Sequence, residues 1–200
     1  ASAPHIMALC GANGSMAPSG SVSVVSGGTQ GFTITPAVWY KINNMLVDGI
    51  PVGTNGSYVF SNVTTWHAIA ANFTLQVAPQ GTPLWWLVQY GMTNNFAAWE
   101  LADSDVDGSA NWHEFLAGTC PTSSLSVFGL GESAFASGTN FVLRWSSVAG
   151  KFYAIDGSTN LTVGFPLAVR TNVLATPDVN CATINVNQVN QQFFRIRLED

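Results

Sequence analysis

The chain has 200 residues, of which 47% are apolar and only 8% are charged, against a charged share of about 25% in typical soluble domains. Its formal net charge is −5 and it holds only six lysines and arginines, which excludes the clustered positive charge that binding to a nucleic-acid backbone needs. No run of 18 apolar residues occurs, so the sequence predicts no membrane-spanning helix.

A surface this poor in charge favours association between copies of the chain. Four of the 11 acidic residues fall in one short loop, which leaves seven acidic residues against six basic ones elsewhere. Repulsion between copies is therefore weak. Seven tryptophans and twelve phenylalanines add apolar surface that such contacts can bury. We expect the partners of this chain to be copies of itself.

Residues 1–77 predict a small antiparallel β module. Alternation of apolar and polar residues marks strands at 21–25, 32–35 and 57–60. Turn dipeptides that tolerate positive φ separate such runs, at Asn13-Gly14, Asp48-Gly49 and Asn55-Gly56. The stretch from Pro4 to Leu9 is a candidate strand for exchange with another copy.

Four stretches of this segment carry a family likeness. They are GANGSMAPSG at 11–20, QGFTITP at 30–36, YKINNMLVDG at 40–49 and YVFSNVTTWHAIAANF at 58–73. Together they resemble the divergent internalin-B-type repeat of bacterial surface proteins, which favours glycine where Trp39 stands and a small or β-branched residue where Cys10 stands. The resemblance implies a β-rich spacer or adhesive module, β-grasp-like or a sandwich, without catalysis.

A linker and a short apolar helix follow this module. The stretch APQGTP at 78–83 is dense in turn residues and is typical of a linker. The stretch LWWLVQY at 84–90 is apolar nearly all round, which predicts a short helix buried between modules. We expect the segment 78–122 to join two β modules as a splint.

The twelve residues 103–114, DSDVDGSANWHE, match the calcium-loop template of an EF-hand. A Ca²⁺ ion takes about 6–8 oxygens at about 2.3–2.6 Å, so the chain must coil around it, and a glycine at the sixth position permits the turn. The predicted ligands are Asp103, Asp105, Asp107, the main-chain carbonyl of Ser109, Asn111 directly or through water, and both carboxylate oxygens of Glu114.

Two alternatives to a calcium loop are a solvated Asp-rich turn and a site for Mg²⁺, which resists giving up its water for an all-protein cage. Helix-like flanks at 96–102 and 111–116 favour calcium. A single loop without a partner loop favours a structural clip over a sensor. The run 84–122, which ends GTCPT, is similar to the thrombospondin type 3-like, dockerin-like calcium segments of bacterial secreted proteins, which usually carry Asp where Cys120 stands.

Residues 123–200 predict a second β module. Strands are expected at 141–145, 152–156, 167–170, 182–186 and 193–198, separated by turns at the spacing of a sandwich. The stretch WSSVAGKFYAIDGSTNL at 145–161, with FFRIRL at 193–198, resembles the fibronectin type III-like C-terminal modules of large bacterial exoproteins. That resemblance implies binding or assembly.

The residue patterns of common catalytic sites do not occur, and we predict that the chain is not an enzyme. Gly-x-Ser-x-Gly and the phosphate-binding P-loop are missing. Trp39, Trp66 and Trp145 are candidates for a platform on which surface glycans stack. The alternative is the more ordinary role of these residues: Trp145 faces a strand core in the fibronectin-like pattern, and Trp39 and Trp66 suit packing or contacts between subunits.

Cysteines and asparagines supply the remaining candidates. Three cysteines cannot all pair within one chain. A bridge between Cys120 and Cys181 is one reading, with Cys10 free, buried or paired with another copy, and three buried thiols are the alternative. Glycosylation sequons occur at Asn13, Asn55, Asn62, Asn72 and Asn160. The opening residues Ala1-Ser2-Ala3 suit a mature end left by signal cleavage.

The sequence therefore predicts a mainly β protein: two small antiparallel β modules at 1–77 and 123–200, joined by a helical calcium-binding segment at 78–122. We expect an extracellular bacterial structural protein that binds Ca²⁺ and assembles into a filament or surface layer. The alternative is a carbohydrate-binding or adhesive accessory region of a larger exoenzyme.

Overall fold

The computed structural model of the chain describes residues 3–186 and 192–199. The fold is mainly β, as the sequence predicts, and its contacts divide the chain into two compact units. Ala1–Ala78 and Pro83–Trp85 belong to the first unit, and Pro79–Thr82 and Trp86–Asp200 to the second. Residues 86–122 thus fall in the same unit as the C-terminal strands, and the division into three parts stays a prediction.

Two sheets make up the first unit. Their strands are β1 (His5–Cys10), β2 (Gly14–Ala17), β3 (Gly20–Ser23), β4 (Gly28–Pro36), β5 (Tyr40–Val47), β6 (Ile50–Gly53), β7 (Ser57–Val63) and β8 (His67–Leu75). One sheet has the order β3-β1-β8-β5-β6 and the other β2-β4-β7. Neighbouring strands run antiparallel, except that β1 and β8 are parallel. The three strands predicted here overlap β3, β4 and β7.

Positive φ values occur at two of the three predicted turn dipeptides, while at the third neither Asn55 nor Gly56 has a positive φ. Asp48 and Gly49 have φ values of 51° and 81° and join β5 to β6, a geometry that matches the twist of an antiparallel pair. Asn13, in the turn between β1 and β2, has a φ of 69°.

Alternation along the strands separates a buried face from an outer face. The core of the first unit contains Ile6, Phe32, Met45, Phe60 and Ile69. Because successive side chains of a strand point to opposite faces, the residues between these buried positions point away from the core. Six of them form what we call the outer face of the five-stranded sheet: Met7, Leu9, Leu46, Pro51, Ala68 and Ala70.

Strand β1 lies inside its sheet and not at an edge. Its residues pair with β3 on one side and with β8 on the other. Both edges of the strand are therefore occupied within one copy, and the exchange of Pro4 to Leu9 with another copy stays a prediction. Ala1 and Ser2, on which the expectation of a cleaved signal rests in part, lie outside the described residues.

Three short helices stand where the sequence predicts helices: α1 (Leu84–Gln89), α2 (Phe96–Leu101) and α3 (Asn111–Ala117). Helices of this length are marginal alone and depend on tertiary contacts. Helix α3 ends at Gly118, whose φ of 77° and N–H bond to the carbonyl of Glu114 (2.7 Å) close the last turn. Among the described residues, no helix has the length and apolar character needed to span a bilayer.

The second unit continues with two three-stranded antiparallel sheets. Their strands are β9 (Ala134–Ser137), β10 (Asn140–Ser146), β11 (Phe152–Ser158), β12 (Leu167–Leu174), β13 (Val179–Asn185) and β14 (Phe193–Glu199). The orders are β13-β10-β9 and β12-β11-β14. Side chains of both sheets meet in one core around Trp145, Tyr153 and Ile155, the arrangement expected of a sandwich. The likeness to a fibronectin type III module stays a prediction.

One buried carboxylate in this unit is neutralised by the protein itself. Asp156 on β11 accepts hydrogen bonds from Arg195 (2.7 Å) and Arg197 (3.1 Å) on β14. Burial opposes its ionisation, but the hydrogen bonds and charges of the two arginines outweigh burial and lower the pKa of Asp156 below its usual value.

Candidate metal centre

Asp103 sets the shape of the loop between α2 and α3. Its Oδ1 accepts hydrogen bonds from the N–H groups of Val106 (2.8 Å) and Asp107 (3.2 Å), and its Oδ2 from that of Gly108 (2.9 Å). Gly108 has a φ of 97°, a conformation that side-chain-bearing residues rarely adopt. The protein's own hydrogen bonds therefore hold this loop coiled, with the glycine where the template requires it.

Three carboxylates converge within the coil. One oxygen each of Asp103, Asp105 and Asp107 lies within 4.8 Å of the others. In the described part of the chain, no lysine or arginine forms an ion pair with them. Like charges at about 4 Å repel by about 1 kcal/mol per pair in bulk water and more strongly where water is excluded. The cluster therefore lacks a neutralising partner of its own.

Buried oxygens without hydrogen-bond partners occur in this cluster and in two later residues of the same twelve-residue stretch. Among the described residues, these are both carboxylate oxygens of Asp105, Oδ2 of Asp107, Oδ1 of Asn111 and Oε2 of Glu114. Leaving such oxygens buried and unpaired is costly. All of them are hard donors of the kind that Ca²⁺ prefers, and none is a nitrogen or sulfur that would favour a transition metal. The residues therefore fit a hard divalent cation.

Three acceptors orient the amide of Asn111 by sharing its two N–H bonds. Its Nδ2 donates to the carbonyl of Trp99 (2.7 Å), to Oγ of Ser104 (2.8 Å) and to Sδ of Met92 (3.3 Å). Nδ2 is fully occupied, so Oδ1 is the end of the amide left to bind an ion. The sequence predicts Asn111 as a ligand but gives no sign that its side chain also joins α3 to the last turn of α2.

Glu114 differs from the other carboxylates because it is almost fully enclosed, at 1% exposure. Burial, followed by the negative charges of Asp105 and Asp107, raises the pKa of Glu114 to about 7. Thr119 Oγ1 donates a hydrogen bond to its Oε1 at 3.4 Å. A bound cation would favour the ionised form of Glu114 and return its pKa to the acidic range.

The raised pKa predicts how the stability of the metal-free protein depends on pH. Between the ordinary value of 4.5 and about 7, the folded state holds a proton on Glu114 that the unfolded chain has released, so the free energy of unfolding falls as pH rises through that window. Asp48 and Asp156 have lowered pKa values and titrate below it. Urea unfolding in metal-free buffer across the window measures this decline.

Two additions make that measurement specific. Glu114→Gln removes the titrating group and should flatten the decline. Saturating Ca²⁺ should abolish it as well, because the ion holds Glu114 ionised. A wild-type decline that persists unchanged in Glu114→Gln would contradict the assignment.

The structure describes the predicted ligand atoms of some of these residues but not of all. Asp103, Asp105, Asp107, Asn111 and Glu114 supply the loop-shaping or unpartnered oxygens described above. For Ser109, the described contact is its N–H bond to Oδ1 of Asp107 (2.7 Å). Binding by its main-chain carbonyl stays a prediction, as does the use of both carboxylate oxygens of Glu114.

The predicted disulfide does not form. All three cysteines are free thiols; Cys10 and Cys181 are exposed and Cys120 is half-buried. Both the bridge between Cys120 and Cys181 and the alternative of three buried thiols are therefore wrong. Cys120 instead lies in the loop after α3, where its Sγ is 3.4 Å from Oγ1 of Thr122.

The three-tryptophan platform is also corrected. Trp145 is 0% exposed, while Trp66 is 64% exposed, so Trp145 cannot stack on a glycan. Trp66 stacks on the imidazole of His5 at 4.9 Å between ring centroids. The nitrogens of that imidazole are hydrogen-bonded to the carbonyl of Ala3 (2.7 Å) and to Oγ of Ser23 (3.0 Å). Trp66 is thus an exposed indole on a fixed support.

No protein-family model, curated protein or solved structure matches this chain. The resemblances to internalin-B-type, thrombospondin type 3-like and fibronectin type III-like modules therefore stay predictions. What the chain does must be inferred from its own residues.

Proposed function

We propose that this chain is an extracellular structural protein of a bacterium, stabilised by Ca²⁺, that assembles with copies of itself into a filament or surface layer. The observation that carries the proposal is the group of buried, unpartnered oxygens between α2 and α3, which a hard divalent cation would neutralise. Calcium sites of extracellular modules have Kd values of about 10⁻⁴–10⁻³ M, so the calcium present outside cells would fill such a site.

A structural role for the ion agrees with what the loop connects. Helix α2 carries Glu100, which is 0% exposed and accepts the N–H of Gln80 with both carboxylate oxygens (3.0 and 3.1 Å). The N–H of Asn111, at the start of α3, bonds to the carbonyl of Ala102 (2.8 Å), just after α2. An ion bound between these helices would restrict the movement of α2, of α3 and of the segment around Gln80, which is hydrogen-bonded to Glu100. This is the behaviour of a clip.

The outer face of the five-stranded sheet supports self-association. Leu9, Ala70, Leu46 and Pro51 stand in register across β1, β8, β5 and β6, with Met7 opposite Ala68. Leu9 is 54% exposed and Met7 39%. An apolar patch of this kind marks an interaction surface. The row of Leu9 holds no charged residue, so a contact there buries no unpaired charge, whereas the row of Met7 reaches Asp48, which accepts the N–H of Ala68 (2.8 Å).

The way copies join decides whether the assembly closes. A contact between the outer face of one copy and a different surface of the next is heterologous and extends into a fibre when it does not close into a ring. The five-stranded sheet ends in β3 on one side and β6 on the other. Such edge strands offer backbone groups to a neighbouring chain.

Assembly should fail when a charge is placed on the outer face. Leu9→Lys would bury an unpaired ammonium in the contact, which costs several kcal/mol, and every 1.4 kcal/mol lost raises the critical concentration about tenfold. Val59→Lys is the matched control, since Val59 is 59% exposed but lies on β7 of the other sheet. Negative-stain microscopy and sedimentation in calcium measure filament formation.

Each outcome of this experiment decides something. Single particles of the unaltered protein at high concentration in calcium would refute assembly. If Leu9→Lys formed filaments at the same critical concentration as the unaltered protein, the outer face would be excluded as part of the contact between copies. Retention of single particles on insoluble polysaccharide, lost in Trp66→Ala, would favour the second candidate function, a glycan-binding or adhesive accessory region of a larger exoenzyme. The exposed indole of Trp66, which stacks on His5, is the observation in its favour.

A further inference from the structure

All five sequon asparagines are exposed, and one of them is hydrogen-bonded to the threonine of its own sequon. They are Asn13, Asn55, Asn62, Asn72 and Asn160. We propose that Asn160 is the attachment site of an N-linked glycan. The proposal rests on the extracellular location proposed above, because the glycosyl donors for this modification are presented at membranes facing away from the cytosol.

The side chains of this sequon are locked together. Oδ1 of Asn160 accepts hydrogen bonds from the N–H of Thr162 (3.0 Å) and from its hydroxyl (2.8 Å). Through the first of these bonds, Asn160 caps the N-terminus of the short 3₁₀ helix Leu161–Val163. The main-chain groups of Asn160 both bond to Oγ of Ser158 (2.8 and 3.1 Å). The hydrogen bonds between Asn160 and the described residues thus involve its Oδ1 and its backbone. None of them involves Nδ2, which is the atom that a glycan would modify.

This arrangement suits transfer of a sugar to nitrogen. Two donors on Oδ1 stabilise negative charge on that oxygen and so make a proton on Nδ2 easier to remove. In the reaction, Nδ2 bonds to the anomeric carbon of a glycosyl group carried on a lipid phosphate or diphosphate. The bond from that carbon to the phosphate oxygen breaks, the electron pair leaves with the phosphate, and a base on the transferase takes one proton from Nδ2.

The surroundings of Asn160 give an attached glycan apolar surface to cover. Leu161 and Val163, which flank Thr162 in the same turn, are 51% and 65% exposed. Exposed aliphatic groups carry an unfavourable hydration free energy of roughly 25 cal/mol per Å². The C–H faces of a sugar attached beside them would remove part of that surface from water.

Asn72 is the internal contrast. It lies in β8 directly opposite Asn44 of β5, and its Nδ2 donates to Oδ1 of Asn44 (3.1 Å). A transferase acting on the folded chain would have to break that bond and reach into the sheet. We therefore expect Asn160 to be modified and Asn72 to be unmodified.

Mass spectrometry of the protein isolated from its native source tests the assignment. Trypsin cleavage after Lys151 and Arg170 releases residues 152–170, which contain Asn160 as their single sequon. The expected result is a peptide that carries added sugar mass, with Asn160 converted to aspartate when the glycan is removed by an amidase. An unmodified peptide 152–170 overturns the proposal. Filaments are scored by microscopy on the same material, so failure of the glycan and failure of assembly are read separately.

Variants expressed in the same host separate modification from folding. Asn160→Asp keeps an oxygen that accepts from Thr162, because aspartate and asparagine cap helices about equally. It should lose the glycan but keep the melting temperature of unaltered protein made in a host without the transferase, which carries asparagine at this position. Thr162→Ala should also lose the glycan, and Thr162→Ser should retain it. Asn172→Asp, at an exposed asparagine outside any sequon, is the matched control and should leave the glycan in place. Full modification of Thr162→Ala would refute the role given to its hydroxyl.

Discussion

Removal of calcium is expected to lower the melting temperature of the second unit by about 10 °C. A ligand at 100 times its Kd stabilises the folded state by about 2.7 kcal/mol, and for a domain of this size about 1 kcal/mol corresponds to about 4 °C. The physical reason is the unpartnered carboxylate cluster: without an ion, Asp103, Asp105 and Asp107 repel one another, and Glu114 keeps a raised pKa of about 7. The first unit holds none of these ligands, so its transition should not move.

Scanning calorimetry with and without a chelator measures this shift. Glu114→Gln preserves the shape of the side chain but removes its charge, so its melting temperature should no longer respond to calcium. In chelator it should be at least as stable as the unaltered protein, because glutamine needs no proton to enter the buried site. Glu132→Gln, at an exposed glutamate outside the loop, is the control and should respond to calcium normally.

The same experiment distinguishes calcium from magnesium and tests the centre itself. Magnesium binds reluctantly to a cage made only of protein oxygens, and should restore less of the lost stability at equal concentration. A melting temperature that chelator leaves unchanged would contradict a metal centre at this loop. A normal calcium response in Glu114→Gln would exclude Glu114 as a ligand.

The loop could be predicted from the sequence because its geometry is local. Twelve consecutive residues carry the spacing, and Gly108 can adopt its φ of 97° without help from the rest of the fold. The strands were predictable for a similar reason, since alternation of residue types records which side chains face the core. Asn111 shows where local reasoning stops: its hydrogen bond to Met92 joins it to a residue nineteen positions away, and no pattern indicated it.

Partners distant in sequence could not be predicted by periodicity. Ile6 of β1 lies beside His67 of β8 in a parallel pair, and alternation in either strand says nothing about that neighbour. Because Cys120 and Cys181 both lie in the C-terminal half, a bridge between them was one prediction. In the fold, Cys120 lies in the loop after α3 and Cys181 is exposed on β13, and their thiols are not bonded. The raised pKa of Glu114 likewise depends on burial, which the template does not encode.

Trp145→Ala is expected to destabilise the second unit by about 3–5 kcal/mol, the usual cost of truncating a buried aromatic residue. Trp145 is 0% exposed and meets Tyr153 edge to face at 5.9 Å, so alanine would leave a cavity in the middle of the sandwich. The expected loss is a large part of the roughly 5–15 kcal/mol that stabilises a typical domain. Urea unfolding in calcium measures it as a lower midpoint.

The chemistry of the indole refines this prediction. Its Nε1 is buried without a hydrogen-bond partner in the described part of the chain, and an unpaired buried donor costs about 1–3 kcal/mol. Trp145→Phe removes that donor and leaves a smaller cavity, so it should be much less destabilising than Trp145→Ala. Trp66→Ala, at a 64% exposed ring, should change the unfolding free energy of the first unit little. If Trp145→Ala were as stable as the unaltered protein, Trp145 would not lie in a core, and a role in stacking on glycans would again be open to it.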